Sequence, residues 1–340
     1  MITMLYKVPE DLLRAVTQGE AEVIGAVIKE TVSGRIVGHM QQTSAGQNFL
    51  IRALQGLPGA AGGEFSPLGM LTAYQNYQIG QKIEGLRQGV ELLKGLQIGT
   101  LALSGINLGV SIAGFAMVLS RLRAMEGQLD NLMISVAAVT EDRREDDLRS
   151  LLGELMDKLG RADDLLSLKD LSRMADGLVD GFGRLSGQFE MIFRRDGAVH
   201  ALETLSAQKL ERLWIAAAAL RLCQDSTLRL LFLMDELEYA RRFANRQAGS
   251  LLDLFDTFRP EEYSRLMTPV SEDWQQTLAD RAEMRKRCMI LSDGLRGGVE
   301  GVAGQGALAQ SLLDGGISGR RWLEAAEAEQ EAPFQFLEVG

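Results

Sequence analysis

Residues 148–166 (LRSLLGELMDKLGRADDLL) place an apolar side chain at every third or fourth position. The members of this seam are Leu148, Leu152, Leu155, Leu159, Ala162 and Leu166. An α-helix has about 3.6 residues per turn, so this spacing puts all of them on one helix face. A second seam follows at Leu171, Ala175, Leu178, Phe182, Leu185, Phe189 and Ile192. The sequence therefore predicts a mainly α fold, an elongated bundle of long heptad-patterned helices.

A further seam precedes these two and begins inside a long uncharged segment. Its members are Phe115, Val118, Leu122, Met125, Leu129, Leu132, Val136 and Val139. No proline interrupts residues 95–139. We therefore expect one long helix or a helical hairpin over this range.

Residues 95–120 (GLQIGTLALSGINLGVSIAGFAMVLS) form this uncharged segment, which we call the apolar segment. About 20 apolar helical residues match the roughly 30 Å hydrocarbon layer of a bilayer. Lys94 and Arg121 flank the segment, and their side chains are long enough to extend to the two membrane surfaces. Two interpretations remain open: a membrane-active segment, or a buried central helix of a soluble bundle. The second predicts that Leu103, Ile106, Val110, Phe115 and Val118 are buried.

Glycines within the apolar segment indicate close helix packing. Gly95 and Gly99 form one small-xxx-small pair, and Gly105 and Gly109 form another. Asn107 can hydrogen-bond across a helix pair or around an oligomer. The candidate membrane-inserting and assembly residues are Gly95, Gly99, Leu101, Leu103, Gly105, Ile106, Asn107, Gly109, Val110, Ile112, Gly114, Phe115 and Val118.

The N-terminal part differs in pattern from the helical part. Residues 21–41 contain two β-branched runs around Ser33-Gly34, which predicts a β-hairpin. We expect a small α+β module with this hairpin at 1–56 and a turn-rich linker at 57–67.

The remainder divides into a long helical bundle at 68–295, which contains the apolar segment, and a C-terminal region at 296–340. Beyond the seams, further helices are predicted at 201–224, 227–258 and 261–295, with Pro260 and Pro269 marking breaks or first turns. The C-terminal region combines a Gly-rich segment with an acidic tail, a candidate flexible or docking terminus.

Composition excludes several classes of partner and compartment. A formal net charge of −10 provides no basic stripe for nucleic acid, and the three tryptophans are scattered rather than arranged as a stacking platform. Cys223 and Cys288 are the two cysteines, far apart, which favours a reducing compartment. The N-terminus has no Sec-type signal pattern, so we expect a cytoplasmic location when soluble and membrane association when active.

Motifs for catalysis are not found. His39 and His200 are far apart and lack a metal-ligand partner at i+4, and structural or solvated roles are favoured for both. The sequence contains no GxxxxGK[ST], HExxH or GxSxG motif. We predict no enzyme activity, no catalytic or metal-binding residue and no cofactor.

Heptad-patterned helices interrupted by one apolar, Gly-rich segment of bilayer length resemble the α-helical pore-forming toxins, such as cytolysin A and the haemolysin BL components. The resemblance covers about residues 68–258 and rests on architecture. It implies a hydrophobic element that is folded against a helical bundle and released to insert during assembly. This chain departs from the family pattern in its predicted N-terminal hairpin module and in lacking an export signal.

These observations favour a membrane-damaging effector that stays soluble until triggered, in an intracellular toxin system or in bacterial antiviral defence. The implied partners are a lipid membrane, further copies of the chain in a homo-oligomer, and a protein partner or trigger at the N-terminal module. An alternative is a soluble helical scaffold or adaptor with the apolar segment as its core helix. A third is a single-span membrane protein with a cytoplasmic helical domain.

Overall fold

The computed structural model describes residues 4–5, 10–24, 27–44, 139–165, 172–197, 207–268, 274–331 and 334–338. Its helices are α1 (Glu10–Thr17), α2 (Val139–Leu165), α3 (Ser172–Gly197), α4 (Ala207–Leu233), α5 (Leu237–Thr257), α6 (Pro260–Met267), α7 (Trp274–Gly315) and α8 (Gly319–Ala328). Its strands are β1 (Met4–Leu5), β2 (Ala21–Ile24), β3 (Val27–Glu30), β4 (Ile36–Gln42) and β5 (Phe334–Glu338). The predicted mainly α bundle with a small N-terminal β module is confirmed.

The two leucine seams form the buried faces of α2 and α3. Leu148, Leu152, Leu155, Leu159 and Ala162 are buried on α2. Their counterparts on α3 are also buried, namely Ala175, Leu178, Phe182, Leu185, Phe189 and Ile192. Heptad spacing thus predicted correctly which face of each helix enters the core.

Helix α4 is the central helix of the described bundle. Every residue from Arg212 to Leu233 is buried, and α2, α3, α5, α7 and α8 all contact this helix. Such burial on all sides suits the run Ile215–Leu220, because alanine allows close approach of several neighbours at once.

The predicted helix break between Gln224 and Thr227 is wrong. Helix α4 continues through these residues, and the turn comes later, at Met234–Glu236, where Asp235 has a φ of 63°. Polar residues in a helical pattern usually indicate an end of the helix, but here Gln224 and Asp225 have partners inside the core. Pro260 occupies the first turn of α6, as predicted.

The strands form one antiparallel sheet in the order β1-β5-β4-β3-β2. The predicted hairpin is present as β3 and β4, and Gly34 adopts a φ of 68° in its turn. The first β-branched run is divided into β2 and β3, which pair with each other. Strand β5 lies between β1 and β4, so the C-terminal tail docks on the sheet by backbone pairing.

The predicted helix end at residue 295 is wrong, because α7 continues into the Gly-rich residues as far as Gly315. It runs through Gly298 and Gly306 without interruption for 42 residues. A Cβ at Gly298 would lie 3.1 Å from Arg221 Cδ, and one at Gly306 would lie 3.1 Å from Ala244 Cβ. Glycine costs about 1 kcal/mol in a helix, but here it permits close contact of α7 with α4 and α5.

Gly319 and Gly153 provide a test of this packing. A Cβ at Gly319 would lie 2.8 Å from the backbone oxygen of Phe232, whereas a Cβ at Gly153 in α2 would meet nothing within 4 Å. Gly319→Ala should lower the free energy of unfolding by about 1–3 kcal/mol. Gly153→Ala should raise it by about 0.5–1 kcal/mol. Urea unfolding followed by circular dichroism measures both, and equal effects of the two substitutions would contradict the close approach at Gly319.

Candidate functional site

The residues predicted to insert and assemble lie outside the described part of the chain. These are Gly95, Gly99, Leu101, Leu103, Gly105, Ile106, Asn107, Gly109, Val110, Ile112, Gly114, Phe115 and Val118. The predicted helix over 95–139 falls outside it as well, apart from Val139. Within the described ranges, no helix combines the length and apolarity needed to cross a membrane.

A polar cluster in the bundle core is the most unusual group of described side chains. Arg221, Gln224 and Asp225 of α4 meet Gln247 of α5 and Gln305 of α7, and we call these five residues the α4 polar cluster. Within it, Arg221 Nη2 donates to Asp225 Oδ1 at 2.8 Å, and Arg221 Nη1 donates to Gln224 Oε1 at 3.1 Å. The cluster joins three helices through side-chain hydrogen bonds.

Two amides complete the connections of this cluster. Gln305 Nε2 donates to Asp225 Oδ1 at 3.1 Å, and Gln224 Nε2 donates to Gln247 Oε1 at 2.8 Å. The second carboxylate oxygen, Asp225 Oδ2, is buried without a hydrogen-bond partner in the described structure. Its charge is therefore compensated mainly through Oδ1.

Burial raises the pKa of Asp225 to about 6, because the apolar surroundings disfavour the carboxylate. The guanidinium of Arg221 and the hydrogen bond from Gln305 act in the opposite direction and offset part of this increase. Asp225 thus changes its charge within the range of mildly acidic pH.

Two more buried arginines of α4 contact carboxylates on neighbouring helices. Arg212 Nε lies 3.5 Å from Asp196 Oδ2 at the end of α3, and Arg229 Nη2 lies 2.8 Å from Glu327 Oε1 on α8. Pairs of this kind are costly to desolvate and costly to break. Removing either carboxylate would leave a buried arginine of α4 without its partner.

A buried histidine connects the sheet to α7. His39 Nε2 lies 3.0 Å from Ser311 Oγ, and His39 is 1% exposed. Burial lowers the pKa of His39 to about 4, so the ring is neutral near pH 7. A serine beside a histidine is the start of a nucleophile–base pair, but this one has no carboxylate orienting Nδ1 among the described residues and is enclosed by the fold.

Neither cysteine has the environment of a reactive thiol. Both are free and buried. Burial raises the pKa of Cys288 to about 12 and raises that of Cys223 as well. In the ranges that the structure covers, no three His, Cys, Asp or Glu side chains converge as metal ligands.

Sequence reasoning missed the α4 polar cluster because it interpreted Gln224–Ser226 as a helix end. A signal was present: Arg221 and Asp225 have the i, i+4 spacing of a helical ion pair, and apolar residues flank them on both sides. Gln247 and Gln305 gave no such signal, since only the packing of α5 and α7 brings them to α4.

Comparisons with other proteins identify no relative of this chain. No family model, curated protein or solved structure matches it. The resemblance to α-helical pore-forming toxins therefore depends on the architecture of the sequence.

Proposed function

We propose that this protein is a membrane-damaging, α-helical pore-forming effector whose apolar segment, residues 95–120, enters a bilayer after a trigger. Oligomerisation then supplies neighbours for the glycine faces and for Asn107. The soluble form is cytoplasmic in this proposal, and the active form is membrane-associated. Burial of apolar side chains in lipid provides the driving force, at roughly 25 cal/mol per Å².

The observation that carries the proposal is the position of α4. The scaffold alternative assigns the role of central core helix to the apolar segment. In the described bundle that role is filled by α4, which is buried on every side from Arg212 to Leu233 and contacted by five helices. The length and apolarity of residues 95–120 therefore still need a reason, and insertion into a membrane gives one.

The buried ion pairs of the bundle support the proposal that the bundle stays folded while the apolar segment moves. Arg212, Arg221 and Arg229 each contact a carboxylate inside the described bundle. Inserting α4 itself into lipid would carry these arginines into the hydrocarbon layer, at a cost of about 2.5–3.5 kcal/mol each. The apolar segment contains no charged residue and avoids this cost.

The double substitution Gly105→Leu with Gly109→Leu tests the proposal. It should preserve binding to membranes but abolish membrane damage, since lipid affinity depends on apolar area and assembly depends on close backbone approach. The measurements are dye release from liposomes and uptake of a membrane-impermeant dye by expressing cells, with and without the genomic neighbours of the gene.

The matched control is Gly153→Leu with Gly160→Leu. A Cβ at either glycine meets nothing within 4 Å, so these substitutions add the same volume where α2 has space. Leakage that persists in the Gly105/Gly109 variant would contradict assembly through the glycine face. A wild-type protein that is inert in both assays, together with a Gly105/Gly109 variant destabilised by about 1–3 kcal/mol per site, would favour the scaffold alternative.

A further inference from the structure

The first half of α7 exposes large apolar side chains along one line. Trp274 is 65% exposed, Leu278 is 52% exposed and Met289 is 40% exposed. At 100° per residue these three side chains lie within about 60° of one another around the helix axis. They lie on one face of α7, which we call the α7 stripe, and Arg281 and Arg285 occupy the same face between Leu278 and Met289.

Basic side chains accompany the α7 stripe. Three basic residues of α7 line a surface groove of about 450 Å³ together with apolar residues of α7 and one acidic residue of α6; the lining is Arg281, Arg285, Lys286, Leu278, Ala282, Met289 and Glu261. The acidic residues of the same helical turns, Asp280 and Glu283, project about 150° away from the centre of the stripe. This face of α7 is thus apolar and basic, on a chain whose net charge is −10.

We propose that the α7 stripe docks on a bilayer that carries anionic phospholipid. Tryptophan with aliphatic neighbours favours the interfacial layer of a membrane, and flanking lysine and arginine side chains favour anionic headgroups. An anionic surface repels the acidic remainder of the chain. Arg281, Arg285 and Lys286 therefore determine which face of the protein turns towards the membrane. This inference names the lipid chemistry of the target and rests on the proposed function for its choice of a membrane.

Glu261 of α6 competes with lipid headgroups for Arg285. Its carboxylate accepts a hydrogen bond from Arg285 Nε at 2.5 Å. Docking exchanges this contact for one with a phosphate. Removing the carboxylate therefore leaves Arg285 available to lipid, and Glu261→Gln should tighten binding to anionic vesicles.

The full-length protein offers a direct spectroscopic test. Trp214 and Trp322 are buried, whereas Trp274 is exposed, so a blue shift of tryptophan emission on docking reports on Trp274. The probes are vesicles of phosphatidylcholine alone and vesicles of phosphatidylcholine mixed with phosphatidylserine. We expect the shift with the mixed vesicles only, its loss in Trp274→Phe, and its weakening as salt screens the surface.

Charge variants make the test specific to this face. Arg285→Gln with Lys286→Gln should weaken binding to the mixed vesicles roughly 30-fold, since each basic residue near an anionic surface contributes a factor of about 5. The matched control is Arg161→Gln with Arg320→Gln, which removes two exposed positive charges from α2 and α8, each paired with a carboxylate as Arg285 is. That control should bind like the wild type.

Several outcomes overturn the proposal. Equal binding to both kinds of vesicle, or equal weakening by the two double variants, excludes docking through the α7 stripe. Absence of binding to either kind of vesicle also excludes membrane docking through the α7 stripe. An acidic protein partner would then be the alternative for this face. Dye release from the same vesicles tests the proposed function separately, because binding without release contradicts pore formation but keeps the docking surface.

Discussion

Replacing Asp225 by Ala should lower the free energy of unfolding by about 3–5 kcal/mol at pH 7, one of the largest effects expected of a single substitution in this bundle. Ala removes the oxygen that accepts hydrogen bonds from Arg221 and Gln305, and the Arg221 side chain is 2% exposed. Each buried donor that is left without an acceptor costs about 1–3 kcal/mol, and the cavity left by the shorter side chain adds to the loss. Urea unfolding at pH 7 measures the loss.

The reciprocal substitution, Arg221→Met, should cost less, and its cost should depend on pH. Asp225 already has a pKa raised to about 6 by burial, and without Arg221 the carboxyl group can take up a proton and become neutral. The double variant Arg221→Met with Asp225→Leu should recover most of the stability, as apolar replacements of buried ion pairs often do. Additive losses in the double variant would show that the two side chains do not act as a pair.

Acidification below about pH 6.5 should destabilise the contact between the sheet and α7 through His39. The folded-state pKa of His39 is lowered to about 4 by burial, against 6.5 in the unfolded chain. A lowered pKa means that the folded state resists protonation, so the stability contribution is complete above pH 6.5 and is lost as pH falls towards 4. The loss over the whole window is about 3 kcal/mol.

Asp225 has the opposite dependence in nearly the same window. Its pKa is raised from 3.8 to about 6, so its folded state binds the proton more readily than the unfolded state. The stability it contributes is complete below about pH 4 and is lost as pH rises through about 6. The two buried groups therefore oppose each other, and the wild-type dependence on pH is flatter than that of either group alone.

Single variants separate these two contributions. His39→Gln should leave a protein that becomes more stable on acidification from pH 6 to pH 4, and Asp225→Asn should leave one that becomes less stable. Unfolding free energies at half-unit steps of pH test both signs. The same slope in both variants would mean that groups other than His39 and Asp225 govern the response to acid.

The pH dependence bears on the trigger of the proposed function. His39 touches Ser311 near the end of α7, and strand β4, which carries His39, pairs with the C-terminal strand β5. Protonation of His39 thus acts where β4 pairs with β5 and contacts α7. Dye release that increases between pH 6.5 and pH 5 in the wild type, but not in His39→Gln, would identify this contact as the acid-sensitive step.

The sequence by itself determined the helical class and the buried faces of α2 and α3. The helical repeat is a local property of the backbone. This repeat alone places Leu148, Leu152 and Leu155 on one face, and that face is buried. The hairpin around Gly34 was likewise predictable, because its turn requires a positive φ that glycine adopts readily. Local backbone preferences were therefore sufficient to predict these helix faces and this turn.

Tertiary structure decided the path of α4, the continuity of α7 and the position of β5. Asp225 lies within a helix because Gln305, distant in sequence, satisfies its carboxylate, and Gly298 lies within α7 because Arg221 packs against it. The tail becomes a strand because β4 offers an edge for backbone hydrogen bonds. By their local preferences, polar residues and glycine favour helix ends. Inside a helix these residues need contacts with partners that are distant in sequence, and only the folded structure brings those partners close.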